Sequence, residues 1–370
     1  MLPCTKLYCI SVDAHLFYKD ITGNAGYYHG GYWLDNFFEV TPTENLSLNA
    51  KIAIYNPAAS YGVVATTYVL PFIGVGWKDN LSNYGFSDTK VNIRYFDLDR
   101  QTIAAGLTLF EKEMSGLMLE LERDNWKFKF IFDGTGGFDV DGDFFSGQIN
   151  FLHDWLGFAA FVDTGHAIDK RTRYLPNQSP LYSVYSTHSL FNDWEYRSEA
   201  SIRNQGGAGM FKVQWNPSDA NSGLKVTLNS QIRYYGAHFA EGIKNHIQHD
   251  YVSIEQEVKP FTDSMNIFSI DDNVWVYASE FNLRYSISTR VDLFSQNEIS
   301  RLSYHSIGNQ TYYFYQAGIS ICPKQKSACA NFFISNKQIN ADVSANINDF
   351  SNKMLFVQSK FIGMEAKFKF

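Results

Sequence analysis

The stretch Ser359 to Phe370, SKFIGMEAKFKF, alternates without interruption and stops on an aromatic residue. Ile362, Met364, Ala366, Phe368 and Phe370 fall on one face of an extended chain, and Gly363, Glu365, Lys367 and Lys369 on the other. Successive side chains of a strand point to opposite faces, so this pattern predicts a strand with one apolar and one polar surface. Free chain ends tend to fray and be polar. A terminal strand this apolar is expected to be held on both sides, as when a sheet closes on itself.

Working back toward the N-terminus, the same texture recurs. Leu46, Leu48, Ala50, Ile52 and Ile54 alternate with Ser47, Asn49, Lys51 and Tyr55. Leu224, Val226, Leu228, Ile232 and Tyr234 alternate with Lys225, Thr227, Asn229, Gln231 and Arg233, and Phe281, Leu283, Tyr285 and Ile287 with Glu280, Asn282, Arg284 and Ser286. The clearest hairpin runs from Leu117 to Phe132. Its apolar set is Leu117, Leu119, Leu121, Trp126, Phe128, Phe130 and Phe132, while Glu120 and Glu122 lie beside Lys127 and Lys129, where opposite charges pair across strands. These segments reach ten or more residues, longer than the usual five or six of soluble sheets. Tight polar turns and longer irregular stretches join them in alternation, the rhythm of a transmembrane barrel.

Composition agrees. Phe 31 and Tyr 23 lift the aromatic fraction to 16%, against 19% charged, which favours one large β-domain over several soluble ones. A mean hydropathy of -0.24 is what a barrel with polar lumen and loops averages to. No run of about eighteen uncharged apolar residues suggests a transmembrane helix. The N-terminal MLPCTKLYCISVDAH shows no basic segment followed by an apolar one, so an exported chain is expected to be numbered in processed form. A net charge of -7 argues against a nucleic-acid partner.

The ending resembles the C-terminal strand of Gram-negative outer-membrane β-barrel proteins. In that family the final residue is typically Phe and the barrel-assembly machinery reads the strand as a signal, a role that falls here on Phe368 and Phe370. The position three residues after Gly363, often aromatic in that signal, is Ala366. Over the whole chain the likeness is to porins, with a further likeness in strand texture to the alginate-export and substrate-specific channel group. The expected fold is all-β: a single transmembrane antiparallel up-and-down barrel over residues 1–370, of about sixteen strands within a range of fourteen to eighteen. Short turns would face the periplasm. Long extracellular loops are expected near 19–30, 134–144, 165–195, 237–272, 300–310 and 339–353. The resemblance implies the bacterial outer membrane, with its lipid and lipopolysaccharide as surroundings.

Charged side chains facing inward from amphipathic strands need water, and water continuous through the wall is a pore. The expected lumen lining is Glu120, Glu122, Lys127, Lys129, Lys225, Arg233, Glu280 and Arg284. An inward-folding segment narrows such a pore and sets selectivity. Asn92 to Arg100, with Arg94, Asp97, Asp99 and Arg100, is one candidate, and the stretch from Gly165 to Asp193 another. The expected function is a porin or channel for small polar solutes. The alternative is a plugged barrel that serves as anchor, surface receptor or subunit of a larger complex with an envelope protein partner.

Other chemistry finds little support. Tyr304-His305-Ser306 and Thr187-His188-Ser189 put His next to Ser, and neighbours in a strand point opposite ways, unlike the paired His and Ser of outer-membrane lipid hydrolases. No nucleophile elbow occurs, so no enzyme is expected. Asp139, Asp141 and Asp143 alternate as calcium ligands do, but Phe144 and Asn150 stand where the EF-hand loop needs Gly and Glu, so they are weak metal candidates. His238, His246 and His249 are a weaker set, and no cofactor is expected. Cys322 and Cys329 flank PKQKSA, so a disulfide would staple a hairpin turn if the strand register brings them together. Such a bond needs an oxidising compartment such as the periplasm.

Overall fold

The structure is a computed structural model that describes residues 7–22, 31–56, 68–107, 109–133, 144–152, 155–163, 180–189, 193–203, 206–217, 223–237, 239, 273–305, 308–322, 328–343 and 358–369. Eighteen strands follow one another: β1 (Leu7–Thr22), β2 (Gly31–Val40), β3 (Leu46–Asn56), β4 (Tyr68–Asn80), β5 (Lys90–Ile103), β6 (Leu109–Arg123), β7 (Trp126–Asp133), β8 (Phe144–Phe151), β9 (Leu156–Asp163), β10 (Leu181–Ser189), β11 (Trp194–Arg203), β12 (Gly206–Trp215), β13 (Leu224–Tyr235), β14 (Val274–Ser288), β15 (Val291–Tyr304), β16 (Gly308–Ile321), β17 (Ala328–Val343) and β18 (Gln358–Lys369). Each pairs antiparallel with the strands before and after it, as β9 does with β8 and β10. The first strand meets the last from Ser11↔Lys369 to Thr22↔Gln358, and it also pairs with β2. The ladder therefore runs all the way round. A ring of strands has no open edge strand, so the ladder satisfies most of the wall's backbone N–H and C=O groups without water.

Alternation sorts the side chains of this ring. On β10 and at the start of β14 buried and exposed residues follow one another strictly: Val274, Val276 and Ala278 are buried, and Trp275 and Tyr277 exposed. Buried polar residues such as Ser146, Glu199, Gln231 and Ser300 lie on the inner face with the first set. Exposed apolar residues such as Ile73, Phe158, Ile202, Phe281 and Ile319 form the outer face. Such a polarity is stable only where hydrocarbon covers the outside.

Aromatic rings mark the limits of that cover. At the tight-turn end Trp194 packs near Trp215, and His188 lies between Trp155 and Tyr196. At the other end Tyr234 and Tyr277 flank Trp275. On β14 ten residues separate Trp275 from Tyr285, another exposed aromatic. At about 3.3 Å per residue and a tilt of about 40°, that is about 25 Å of membrane, the height of an outer-membrane apolar band.

Eighteen strands exceed the expected sixteen, and the difference has two sources. The stretch 196–215 holds two strands, β11 and β12, and β10 lies inside the stretch expected as a loop at 165–195. Residues 101–111 span the end of β5, a short connection and the start of β6. The segment before β5 folds as a turn. Leu81–Tyr84 is a single 3-10 turn, capped by the Asn80 side chain and closed by Gly85 at φ 83. With an even strand number β1 begins and β18 ends at the tight-turn end.

Candidate functional site

Two groups of charge face the interior near the tight-turn end. On the β6–β7 hairpin Glu120 stands opposite Lys129 and Glu122 opposite Lys127. Lys127 Nζ lies 3.6 Å from Glu120, which also accepts from Asn92 Nδ2 at 2.7 Å, and Lys90 Nζ donates to Glu122 at 2.9 Å. Arg94 follows on the same face of β5, opposite Met118. The second group sits on β13 to β15. Arg284, paired in register with Lys225, gives both Nε and Nη2 to Asp292 Oδ2 at 2.7 Å. Glu280 accepts from Asn229, Asn282 and Gln296 at 2.7–3.0 Å; Arg233, on the same face but toward the other end of β13, donates to Gln231. All eight residues expected to line the lumen thus lie on the inner face.

Toward the other end the chain itself turns into the interior, at a segment other than 92–100. The stretch 92–100 is wall, part of β5, with a register shift between Asp97 and Arg100. The side chains of Asp97, Asp99 and Arg100 lie outside the described residues. It is the next segment, 104–107, that turns inward. Ala104 at φ 54 and Gly106 at φ 94 take the left-handed conformation, which lets the chain double back, and Gly106 N–H donates to Ile103 O. Ala105 and Leu107 end up almost fully buried.

What holds this segment is its backbone. Ala104 N–H donates to Gln148 Oε1 on β8 at 3.1 Å, and Leu107 O accepts from Tyr235 Oη on β13 at 3.1 Å. Between them Ala105 and Leu107 N–H both donate to Glu199 Oε2 on β11 at 3.0 Å. Partners on β8, β11 and β13 place the segment across the interior. Glu199 is itself held, because Ser201 Oγ donates to its other oxygen at 2.9 Å and lies 2.7 Å from Ser183 Oγ. Around this anchor Ile103, Leu107, Met118, Phe161, Val276 and Leu302 pack with Phe239, whose side chain is entirely buried.

Sequence reasoning passed over Glu199 and 104–107. Glu199 shares the inward phase of its strand with Arg197 and Ser201, which is the signal that marks it as lumen-facing, but its partners lie more than ninety residues away. The remaining expectations are scattered. Cys322 and Cys329 form a disulfide across the β16–β17 turn, with Cα atoms 4.3 Å apart. The His188 ring packs at a tilt against Trp155 on the outer surface, and His305 follows β15, its N–H bonded to Asn273 O. Asp139, Asp141, Asp143, His238, His246, His249 and Phe370 lie outside the described residues, as does the inward candidate at 165–179.

No protein-family model matches this chain, and no curated protein does. Solved structures do. OccAB1 of Acinetobacter baumannii superposes with a TM-score of 0.53 at 8% identity, covering 98% of this chain and 96% of the other. Wzi of Escherichia coli, an outer-membrane carbohydrate-binding β-barrel involved in group 1 capsule assembly, gives 0.52 at 10% identity, covering 96% and 83%. OprD of Pseudomonas aeruginosa gives 0.50 at 9% identity, covering 98% and 94%. What is shared at such identities is the fold. The chain has the porin-like architecture of the bacterial outer-membrane β-barrels, as its alternation predicts.

Proposed function

We propose that this barrel is a selective channel of the bacterial outer membrane for passive or facilitated diffusion of small polar solutes, with no enzymatic step. One observation carries the reading. Lys90, Glu122 and Arg284 face the inside of a ring of strands, yet their side chains are 71%, 47% and 49% exposed. Such exposure is what a water-filled mouth at that end of the interior would give. Both signs of charge line it, and 104–107, tethered to Glu199, narrows the path beyond. This favours small zwitterionic or polar solutes over large or strongly charged ones. Outer-membrane lipid and lipopolysaccharide would surround the wall, and the barrel-assembly machinery would read Phe368 and Phe370.

The test is single-channel recording of the purified, detergent-folded protein in planar bilayers. Discrete conductance steps are expected, and replacing Glu120 and Glu122 by Gln should move the reversal potential in a salt gradient toward anion preference. An unchanged reversal potential would count against this lumen lining. A second reading rests on the apolar packing around Phe239, Val274 and Leu302, all at 0% exposure. If that packing seals the interior, the barrel is an anchor, receptor or subunit of a larger envelope complex. A folded, heat-modifiable protein without conductance would establish that alternative.

A further inference from the structure

Away from the tight-turn end two turns reach the interior, and they are held differently. The first is 104–107, whose N–H groups at 104, 105 and 107 and whose carbonyl at 107 bond to side chains of β8, β11 and β13. The second follows β13. Gly236 N–H donates to Gly207 O at 2.8 Å and Ala237 N–H to Asn273 Oδ1 at 2.9 Å, so the base of this turn is pinned to the wall. Beyond the base, Phe239 packs into the apolar cluster with Leu107, Val274 and Leu302, its side chain at 0% exposure. A Cβ at Gly206, the first residue of β12, would stand 2.6 Å from Ala237 O and 3.0 Å from Phe239 N, so glycine there is what lets the second turn lie where it does. Tyr235 joins the two turns. Its Oη donates to Leu107 O at 3.1 Å, and its ring lies 6.1 Å from that of Phe239.

The hold on Phe239 is the weaker of the two. Its N–H stays within its own turn, donating to Gly236 O at 3.1 Å, and its carbonyl accepts from Arg203 Nη1 at 3.5 Å, the outer limit of a hydrogen bond. The ring is kept by apolar contact, which has no direction and is exchanged for other apolar contact along the same wall. The bonds of 104–107 are directional, and each donor left unmade inside the barrel is costly. A solute pressing on this packing therefore displaces the Phe239 ring before it displaces 104–107.

We propose that Phe239 is the residue that limits the size of what passes. Its ring closes an apolar neck against 104–107, it is the part of that neck that moves, and the room it vacates sets the largest solute admitted. The inference rests on the barrel being a channel. Phe239 brings no charge, so it selects by size and leaves ion preference to the charged groups nearer the tight-turn end.

Single-channel recording of the full chain with neutral polyethylene glycols of graded size tests it. Phe239→Ala should raise the conductance and admit larger polymers, with the reversal potential in a salt gradient unchanged. Gly206→Val puts a side chain where the second turn lies and takes nothing from the apolar packing, yet it should move conductance and size limit the same way. Heat-modifiable migration reports an intact barrel, and Phe239→Leu, with a smaller rise, serves if Phe239→Ala does not fold. A folded Phe239 variant at wild-type conductance and size limit overturns the proposal, and so does Gly206→Val at wild-type values. A conducting wild type with unchanged variants removes this proposal and leaves the channel standing. A silent wild type with a conducting Phe239→Ala supports Phe239 as the closing residue and removes the open channel instead.

Discussion

Glu199 is a carboxylate that the fold uses as a backbone acceptor. Its Oε2 takes the N–H groups of Ala105 and Leu107, and replacing it by Ala leaves both buried donors without that partner. Each unsatisfied group costs about 1–3 kcal/mol, so Glu199→Ala should lower the thermal midpoint of the folded barrel and free 104–107 from the wall. Single-channel conductance should then rise, whereas Glu199→Gln keeps an acceptor oxygen and should stay near wild type. Equal conductance in all three proteins would mean that this segment does not limit flow. The inner-face charges were legible one by one, because Glu120, Lys127, Glu280 and Arg284 sit in phase with their strands. The special role of Glu199 was not. Its phase says only that it faces inward, and nothing local announces a segment arriving from more than ninety residues away.

Among the elements, hairpins with a chemical turn signal were read correctly and those without one were merged or lost. Arg123-Asp124-Asn125 marks the β6–β7 turn, where Asp124 takes φ 44. The inward phase changes from odd positions ending at Arg203 to even positions at Ala208 and Met210, but glycine at 206, 207 and 209 leaves too few side chains to show the change in sequence. β10 lies in the stretch expected as a loop because its inner face is mostly Ser and Thr, with little apolar alternation to mark a strand. The turns themselves carry testable chemistry. The Cys322–Cys329 bond closes a loop with a sequence separation of 7, and a loop that short is worth roughly 2–3 kcal/mol. Replacing both by Ser should lower the thermal midpoint and leave conductance unchanged. In the β4–β5 turn Tyr84 donates to Asp79 Oδ2 at 2.7 Å, and that carboxylate raises the phenol above its ordinary value of 10.0. The folded turn favours the protonated phenol. The hydrogen bond is complete below the ordinary tyrosine value and is lost as pH rises through the raised one. Ultraviolet titration of Tyr84→Phe should lack the late-ionising component that Tyr84 contributes to the wild-type curve.

At the scale of the whole molecule, closure by β1 and β18 is what turns amphipathic strands into a wall. Met364 is paired on both sides, with Leu16 and with Phe332. Proline there removes a backbone donor from a doubly paired strand at a cost of about 3 kcal/mol or more, and a ring has no slack elsewhere. Met364→Pro should therefore abolish the heat-modifiable folded species on gels, while proline at an exposed position of the β2–β3 turn, such as Thr43, should not. The sequence by itself determined that this is an all-β chain of long two-faced strands, which face of each strand is apolar, and where its ionic groups stand. Those properties repeat every second residue and are visible locally. Only the tertiary structure decided that there are eighteen strands, that 104–107 lies inside, and that Glu199 holds it. These follow from strand register around the ring and from contacts between residues far apart in the chain, and no local pattern encodes which distant residues a closed wall will bring together.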